Sequence, residues 1–474
     1  MNEVVQVDDH PWPNPAYAWY VVVILSLAQT ISFVDRMILS LLVAPIRSTL
    51  EISDTQISLL HGFSFAIFYA LMGIPIARLA DEKNRRVIIA IGIFFWSLMT
   101  VLCGLAKNFW HLFFTRVGVG VGEAALSPAG FSLISDYFPP EKRARAMSFF
   151  TMGIYVGSGI AFIIGGAVIQ LVMQREAVEL PLLGVLHPWQ ATFVAVGLPG
   201  IFLAALMLTV REPLRHGVVS GQKSSTMGNL PLSSVARYIG SNWRTYIGII
   251  LGYSLTALIN FAGTAWIPTF FIRTHGWAAN EIGYVFGLII LTFGVTGVIA
   301  GGWLADRLVK KGHRDGHLRA MMVGGFGVIL PGIFYPLVAD AVWAVVLLAP
   351  YAFFVSFPTG ASIAALQAIS PNQMRAQATA VYLFIVSFVS LGFGPTFVAL
   401  ITDFVFGQDA DLRYSLAIVT AVAAPAALLA VTLGRRSIEA TLDFQRKWIA
   451  NAQGTATGSD GVQISSMGRS VPKS

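Results

Sequence analysis

The chain has 474 residues, of which 55% are hydrophobic and only 12% charged, with mean hydropathy +0.70 and net charge +7. A soluble chain carries about 25% charged residues, so this composition argues against a water-soluble enzyme and for many membrane spans. The single cysteine, Cys103, rules out an intrachain disulfide, and no metal-ligand spacing accompanies it.

The N-terminus carries Glu3, Asp8 and Asp9 and no basic stretch, so the first apolar run is expected to be a true span rather than a cleaved leader. A bilayer core about 30 Å thick needs roughly 20 apolar residues per helix. On that measure spans are expected at 17–44, 56–77, 87–106, 108–136, 144–171, 189–211, 245–272, 281–304, 318–339, 341–369, 376–403 and 413–434. The expected fold is all-α integral membrane, with 12 transmembrane helices in two pseudo-symmetric six-helix bundles at 17–211 and 245–434. A short N-terminus (1–16) precedes them, a linker (212–244) joins them, and a tail (435–474) follows, amphipathic at first and then Gly/Ser-rich and disordered.

Most of the 31 Lys and Arg residues fall in the even-to-odd loops, the linker or the tail; Arg47, Lys107, Arg175, Arg273 and Arg413 lie on the other side. That asymmetry places both termini in the cytoplasm and the chain in a cell inner membrane. It also accounts for the basic charge without a nucleic-acid partner.

In chain order, span 1 carries Asp35 and Arg36, and span 4 carries Arg116 and Glu123. A charge at the bilayer centre costs at least about 2.5–3.5 kcal/mol and is rarely idle. By helical rise, Asp35, Arg36 and Arg116 lie roughly 12–14 Å below the outer surface and Glu123 roughly 22 Å below it. Arg116 and Glu123 share nearly one helix face, so an Asp35–Arg116 pair with Glu123 deeper is expected. Asp35 and Glu123 are the proton-coupling candidates, and Arg36 and Arg116 the groups to grip an anion. The alternative is that these charges only lock spans 1 and 4 together.

Loop 2–3 holds Asp81, Arg85 and Arg86, and loop 8–9 repeats its pattern with Asp306 and Arg307. Loop 4–5 holds Arg143, and loop 10–11 holds Arg375 at nearly the same spacing between halves. Two motifs repeating at one offset imply parallel repeats, a site at their interface and rocking alternating access. Asp81 is expected to face the N-terminus of helix 11 and Asp306 that of helix 5. Arg85, Asp136 and Arg143 are candidates for a cytoplasmic network that closes the outward-facing state, with Arg307 and Arg375 in the same gate.

The six spans of the second half are expected to hold no internal charge, and spans 7, 8, 10 and 11 are crowded with aromatics, Phe261, Trp266, Phe270, Phe286, Phe353, Phe384 and Tyr382 among them. They suit a greasy cavity wall or a lipid-facing surface. Asn260 and Gln367 are expected as polar contacts, because an amide in a span seeks a partner. His61 and His111 are expected to make interfacial hydrogen bonds.

At these motifs the sequence resembles the major facilitator superfamily. Arg116-Val117-Gly118-Val119-Gly120-Val121-Gly122-Glu123 is similar to the family's fourth-helix motif, and Gly153, Gly157, Gly159, Gly165 and Gly166 to its Gly-rich fifth-helix motif. The first loop copy departs at Ala77, Glu82 and Asn84; the second keeps Gly302, Asp306 and Arg307. Phe33-Val34-Asp35-Arg36 with Ser53-Asp54-Thr55-Gln56-Ile57-Ser58-Leu59-Leu60 is most similar to the spinster-like subfamily, although anion:cation symporters share the Asp-Arg pair.

The resemblance implies a monomeric secondary transporter, without cofactor or metal, that moves an amphipathic anionic lipid such as a lysophospholipid or sphingoid phosphate with protons. Its binding candidates are Arg36, Arg116, Asn260, Phe261 and Tyr382. A small organic anion or sugar acid is the rival substrate. A non-transporting receptor is the rival class, and no nucleophile–base pair points to an enzyme.

Overall fold

The structure is a computed structural model that describes residues 12–172, 178–180, 184–214, 232–371 and 374–457. Twelve helices in it are long and apolar enough to cross a membrane: Pro15–Leu41, Asp54–Gly73, Arg85–Cys103, Phe109–Tyr137, Arg145–Val172, Pro188–Met207, Trp243–His275, Ala279–Lys310, Gly316–Phe334, Ala341–Ile369, Gln377–Phe406 and Asp409–Arg436. They are numbered spans 1 to 12 below. Each overlaps its expected counterpart.

Helix starts follow from local chemistry. Asn14 accepts a bond from the Ala16 amide and Pro15 opens span 1. Ser53 and Gln56 form a reciprocal capping box at the start of span 2, and Asn84 and Asn108 cap spans 3 and 4. Each cap satisfies a free amide that lipid cannot. An αL residue, Glu51, turns the chain between spans 1 and 2.

Span 1 on spans 5 and 6, span 3 on spans 4 and 6, and span 2 on span 4 build the first bundle; the same pairs recur in the second, span 7 on 11 and 12, span 9 on 10 and 12, and span 8 on 10. Between the halves, span 5 lies on span 8 along a glycine seam. A Cβ on Gly159 would meet the Gly287 carbonyl at 2.7 Å, and one on Gly287 the Gly159 carbonyl at 2.6 Å. On the opposite side span 2 meets span 11, where a Cβ on Gly62 would meet the Leu391 carbonyl at 2.5 Å. Small residues here bring two backbones together that larger ones would separate.

Spans 8 and 11 each contain a π-helical turn, Ile290–Gly294 and Phe388–Gly392. A two-strand hairpin, Val178–Leu180 with Gly184–Leu186, joins spans 5 and 6. Most of the linker lies outside the described residues. Its end is the helix Leu232–Ser241, which packs with Ile438–Thr457 against the second bundle. Tyr238 stacks near Phe444 and Trp448 (5.5 and 5.9 Å) and donates to the Ile369 carbonyl at 2.9 Å. The apolar stripe of 438–457 is thus partly used on protein, and the helix runs past Ala450 into a stretch where disorder was expected.

Candidate functional site

A central cavity of about 320 Å³ lies between the bundles, lined by spans 1, 2, 4 and 5 of the first half and 7, 8, 10 and 11 of the second. Among the described residues Arg36 is the one charged side chain that lines it. Its guanidinium sits over the rings of Phe65 (4.2 Å) and Phe33 (4.8 Å), with Tyr69 at 5.9 Å, a cation–π cage on the lipid-excluded side of spans 1 and 2. Behind the cage Arg36 pairs with Glu123, whose same oxygen accepts from Ser32 at 2.6 Å. Glu123 is 2% exposed, and its other oxygen is buried without a partner.

The expected Asp35–Arg116 side-chain pair does not form. Arg116 is fully buried outside the cavity lining, and it donates to the backbone carbonyls of Asp35 (3.1 Å) and Leu60 (3.4 Å). Asp35 and Arg36 are neighbours on one helix and point apart: Arg36 bonds Glu123, while the Asp35 carboxylate turns toward Thr100 and Trp96. The Asp35 carboxylate, also fully buried, faces Thr100 and Trp96 without a partner at full hydrogen-bond geometry, within electrostatic reach of Glu123 and Arg116. His61, within electrostatic reach of Arg116, is also buried, and its Nε2 makes no hydrogen bond.

The second half's wall is aromatic but not merely greasy. Phe261, Phe286 and Tyr382 line the cavity, beside Tyr253, Asn260, Thr264, Ser356, Thr359 and Ser390. Tyr382 bonds the Ser362 hydroxyl at 2.7 Å and stacks on Tyr253 at 6.0 Å. Tyr155 of span 5 faces Tyr253 and Thr359 across the halves. Trp266 and Phe270 are core residues instead, and Gln367 is exposed at the Lys/Arg-rich end. Gln29, on span 1, also lines the cavity. It was legible as an amide inside an apolar run, the same signal that picked out Asn260.

The cavity is sealed at the end marked by Asp54. Arg273 donates both terminal nitrogens to the Asp54 carboxylate at 2.6 and 2.8 Å, and Arg47 pairs with Asp409. Asp403 accepts from the Thr55 amide (2.7 Å) and hydroxyl (2.6 Å). All three links join the two halves. Arg47 lies between spans; burial opposes its charge, but the bond to Asp409 and the Asp54 charge outweigh this and raise its proton affinity above the ordinary arginine value. Arg47, Arg273 and Asp409 sit just beyond the apolar runs and Asp403 at the very end of one, so none stands out in the sequence as a buried charge, although the structure puts Asp403 inside span 11.

The opposite, Lys/Arg-rich end is less tied. Arg85 is 1% exposed and bonds Asp136 (2.5 Å), Glu212 (2.7 Å) and the Ser132 hydroxyl (2.9 Å), all within the first half. Among the described residues Arg143, Asp306, Arg307 and Arg375 make no ion pair; Arg307 lies over the Trp303 ring at 5.0 Å. The side chain of Asp81 lies outside those described. Among the described residues, then, the Arg85–Asp136 part of the expected network forms, and no ion pair at this end crosses between the halves. Exposed cavity residues such as Leu383 (49%) mark the mouth here.

Residues 25–395 match the sequence profile of the Major Facilitator Superfamily. The chain is 32% identical over 82% of its length, and 86% of the relative's, to an MFS-type efflux pump of Mycolicibacterium smegmatis. It is 28% identical over 88% of its length, and 89% of the relative's, to a probable L-galactonate transporter of Escherichia coli. A crystal structure of a bacterial homolog to the human lysosomal transporter spinster, inward-facing and unoccupied, superimposes with TM-score 0.74 at 27% identity, covering 92% of this chain and 99% of the other.

Proposed function

The chain belongs to the Major Facilitator Superfamily, as a multi-pass membrane transporter of the spinster-like type and not an enzyme, and from that premise we propose that it moves an amphipathic organic anion with protons. The observation that carries this reading is Arg36: among the described residues the one cationic group on the cavity wall, with its counter-ion Glu123 buried behind it. An arriving phosphate or carboxylate competes with Glu123 for the guanidinium fork. Glu123, left buried without its partner, is then best neutralised by a proton, which couples anion and proton binding. Asp35, unpartnered and in electrostatic reach, is a second place for that proton. The aromatic wall of Phe261 and Phe286 suits the apolar body of a lysophospholipid or sphingoid phosphate. Rocking of the halves would deliver it across an inner membrane, with the Lys/Arg-rich end in the cytoplasm.

A second reading, a proton-coupled sugar-acid symporter, is favoured by the hydroxyl and amide groups on the second half's wall and by the galactonate-transporter relative. Uptake into proteoliposomes under an imposed pH gradient separates the two: lysophosphatidylglycerol competes in one case and galactonate in the other. In either, Glu123→Gln is expected to abolish stimulation by the gradient while counterflow exchange persists. Unchanged pH-driven uptake by Glu123→Gln removes Glu123 from the coupling step.

A further inference from the structure

Each half contributes one side-chain amide to the cavity wall, Gln29 from span 1 and Asn260 from span 7. These spans open their respective bundles, and the two residues are separated by the spacing that relates Arg143 to Arg375, to within one residue. They are therefore counterparts under the pseudo-twofold relation between the halves. Gln29 lies along the Gly153 face of span 5, with its Cγ 3.7 Å from where a Cβ on that glycine would stand. Among the described residues neither amide group bonds another protein group. An amide in a span ordinarily finds a partner, and these two have the cavity as the place for it.

Gln29 is seven residues from Arg36 on one helix, two turns and nearly the same face, about 10 Å along the axis. An anion held at Arg36 thus extends its uncharged part toward Gln29 and, from across the cavity, Asn260. Each amide offers two donors and an acceptor, the complement of hydroxyl groups that donate and accept at once. An alkyl chain alone would leave both amides unsatisfied. We propose that Gln29 and Asn260 form a second polar subsite that reads hydroxyl groups within about 10 Å of the anionic group. This rests on the reading of Arg36 as the anion site, and it narrows the substrate class to hydroxylated organic anions. A sugar acid and a lysolipid with a glycerol headgroup both meet it.

The test is binding to the purified full chain, read as thermal stabilisation, with two matched pairs of probes: galactonate against hexanoate, and lysophosphatidylglycerol against dodecyl phosphate. In at least one pair the hydroxylated probe should bind about tenfold tighter or more, and the pair that shows this names the source. Gln29→Leu and Asn260→Leu should each remove most of that preference while leaving the deoxy probe's affinity unchanged. Gln29→Asn and Asn260→Gln keep the amide but displace it, and should reduce the preference in part should the leucine variants not fold. A hydroxylated probe that stabilises the protein no more than its deoxy counterpart in both pairs, or a preference that survives these variants, overturns the proposal. Arg36→Gln is read separately: it should weaken all four probes, and unchanged binding there refutes the anion site while the hydroxyl preference is still read from Gln29 and Asn260.

Discussion

Arg36 is held by two different forces, and the difference decides what a substitution does. Its charge is balanced by Glu123, and its planar face is stacked among Phe33, Phe65 and Tyr69. Lysine at this position keeps the charge but loses the fork and the stacking plane. Arg36→Lys is therefore expected to weaken anion binding by about 1.5 kcal/mol, the net worth of a charged hydrogen bond, or about tenfold in Kd. Titration of the purified protein with the transported anion checks this; equal affinity would mean that a point charge suffices. Arg36 and Glu123 stood out in the sequence because buried charge is costly anywhere in a span. Their pairing was not. Two acids and two bases on two helices can pair in two ways, and a helical wheel does not say which of Asp35 and Arg36 faces span 4. Gln29 was legible by the amide argument applied to Asn260, whereas the role of Ser32 depends on a contact between distant segments.

The elements carry their own constraint at the seam between spans 5 and 8. The glycines of span 5 were visible in the sequence as a small-residue face, but their partner was not, since Gly283 and Gly287 belong to the other half. Adding a methyl at Gly287 places carbon 2.6 Å from the Gly159 carbonyl and 3.1 Å from the Ile163 amide nitrogen, backbone atoms that cannot turn aside. Overpacking of this kind costs about 1–3 kcal/mol. Gly287→Ala should lower the melting temperature of the purified protein. Gly302→Ala, on the same span with nothing within 4 Å of its added carbon, should not, because alanine is the better helix former. Equal effects from both would show that the seam is loose. The π-turns at Ile290–Gly294 and Phe388–Gly392 were invisible to periodicity, since five apolar residues read alike in α and π form. Both border the cavity, where such widened turns are often found.

For the whole molecule, the question is what holds one end closed while the other gives access to the cavity. Twelve spans and a repeat between halves were legible from hydropathy and loop motifs, whereas the end bridged in this conformation was not. Among the described residues, the ion pairs that bridge the halves here do not involve the recurring Arg143, Asp306 or Arg375. The bridge is made by residues without counterparts: Asp54 with Arg273, Arg47 with Asp409, and Asp403 with Thr55. Asp54 is 0% exposed and receives both arms of Arg273, so its charge contributes much more than a surface pair does. Asp54→Asn keeps shape and some hydrogen bonding but removes the charge, a loss of about 1.5 kcal/mol from the closed arrangement. In a two-state equilibrium that is about a tenfold shift toward opening at this end. The shift can be read without knowing the substrate. A cysteine at cavity residue Thr264, in a background with Cys103→Ser, should be labelled several-fold faster by a membrane-impermeant thiol reagent applied from the Asp54 side in the Asp54→Asn protein than in its parent. Arg273→Gln should act in the same direction, and the two changes together should add little beyond either, because they break one link. Labelling that stays at the parent rate in both single variants would mean that the seal lies in backbone packing, at Gly62 against Leu391, and not in the charges.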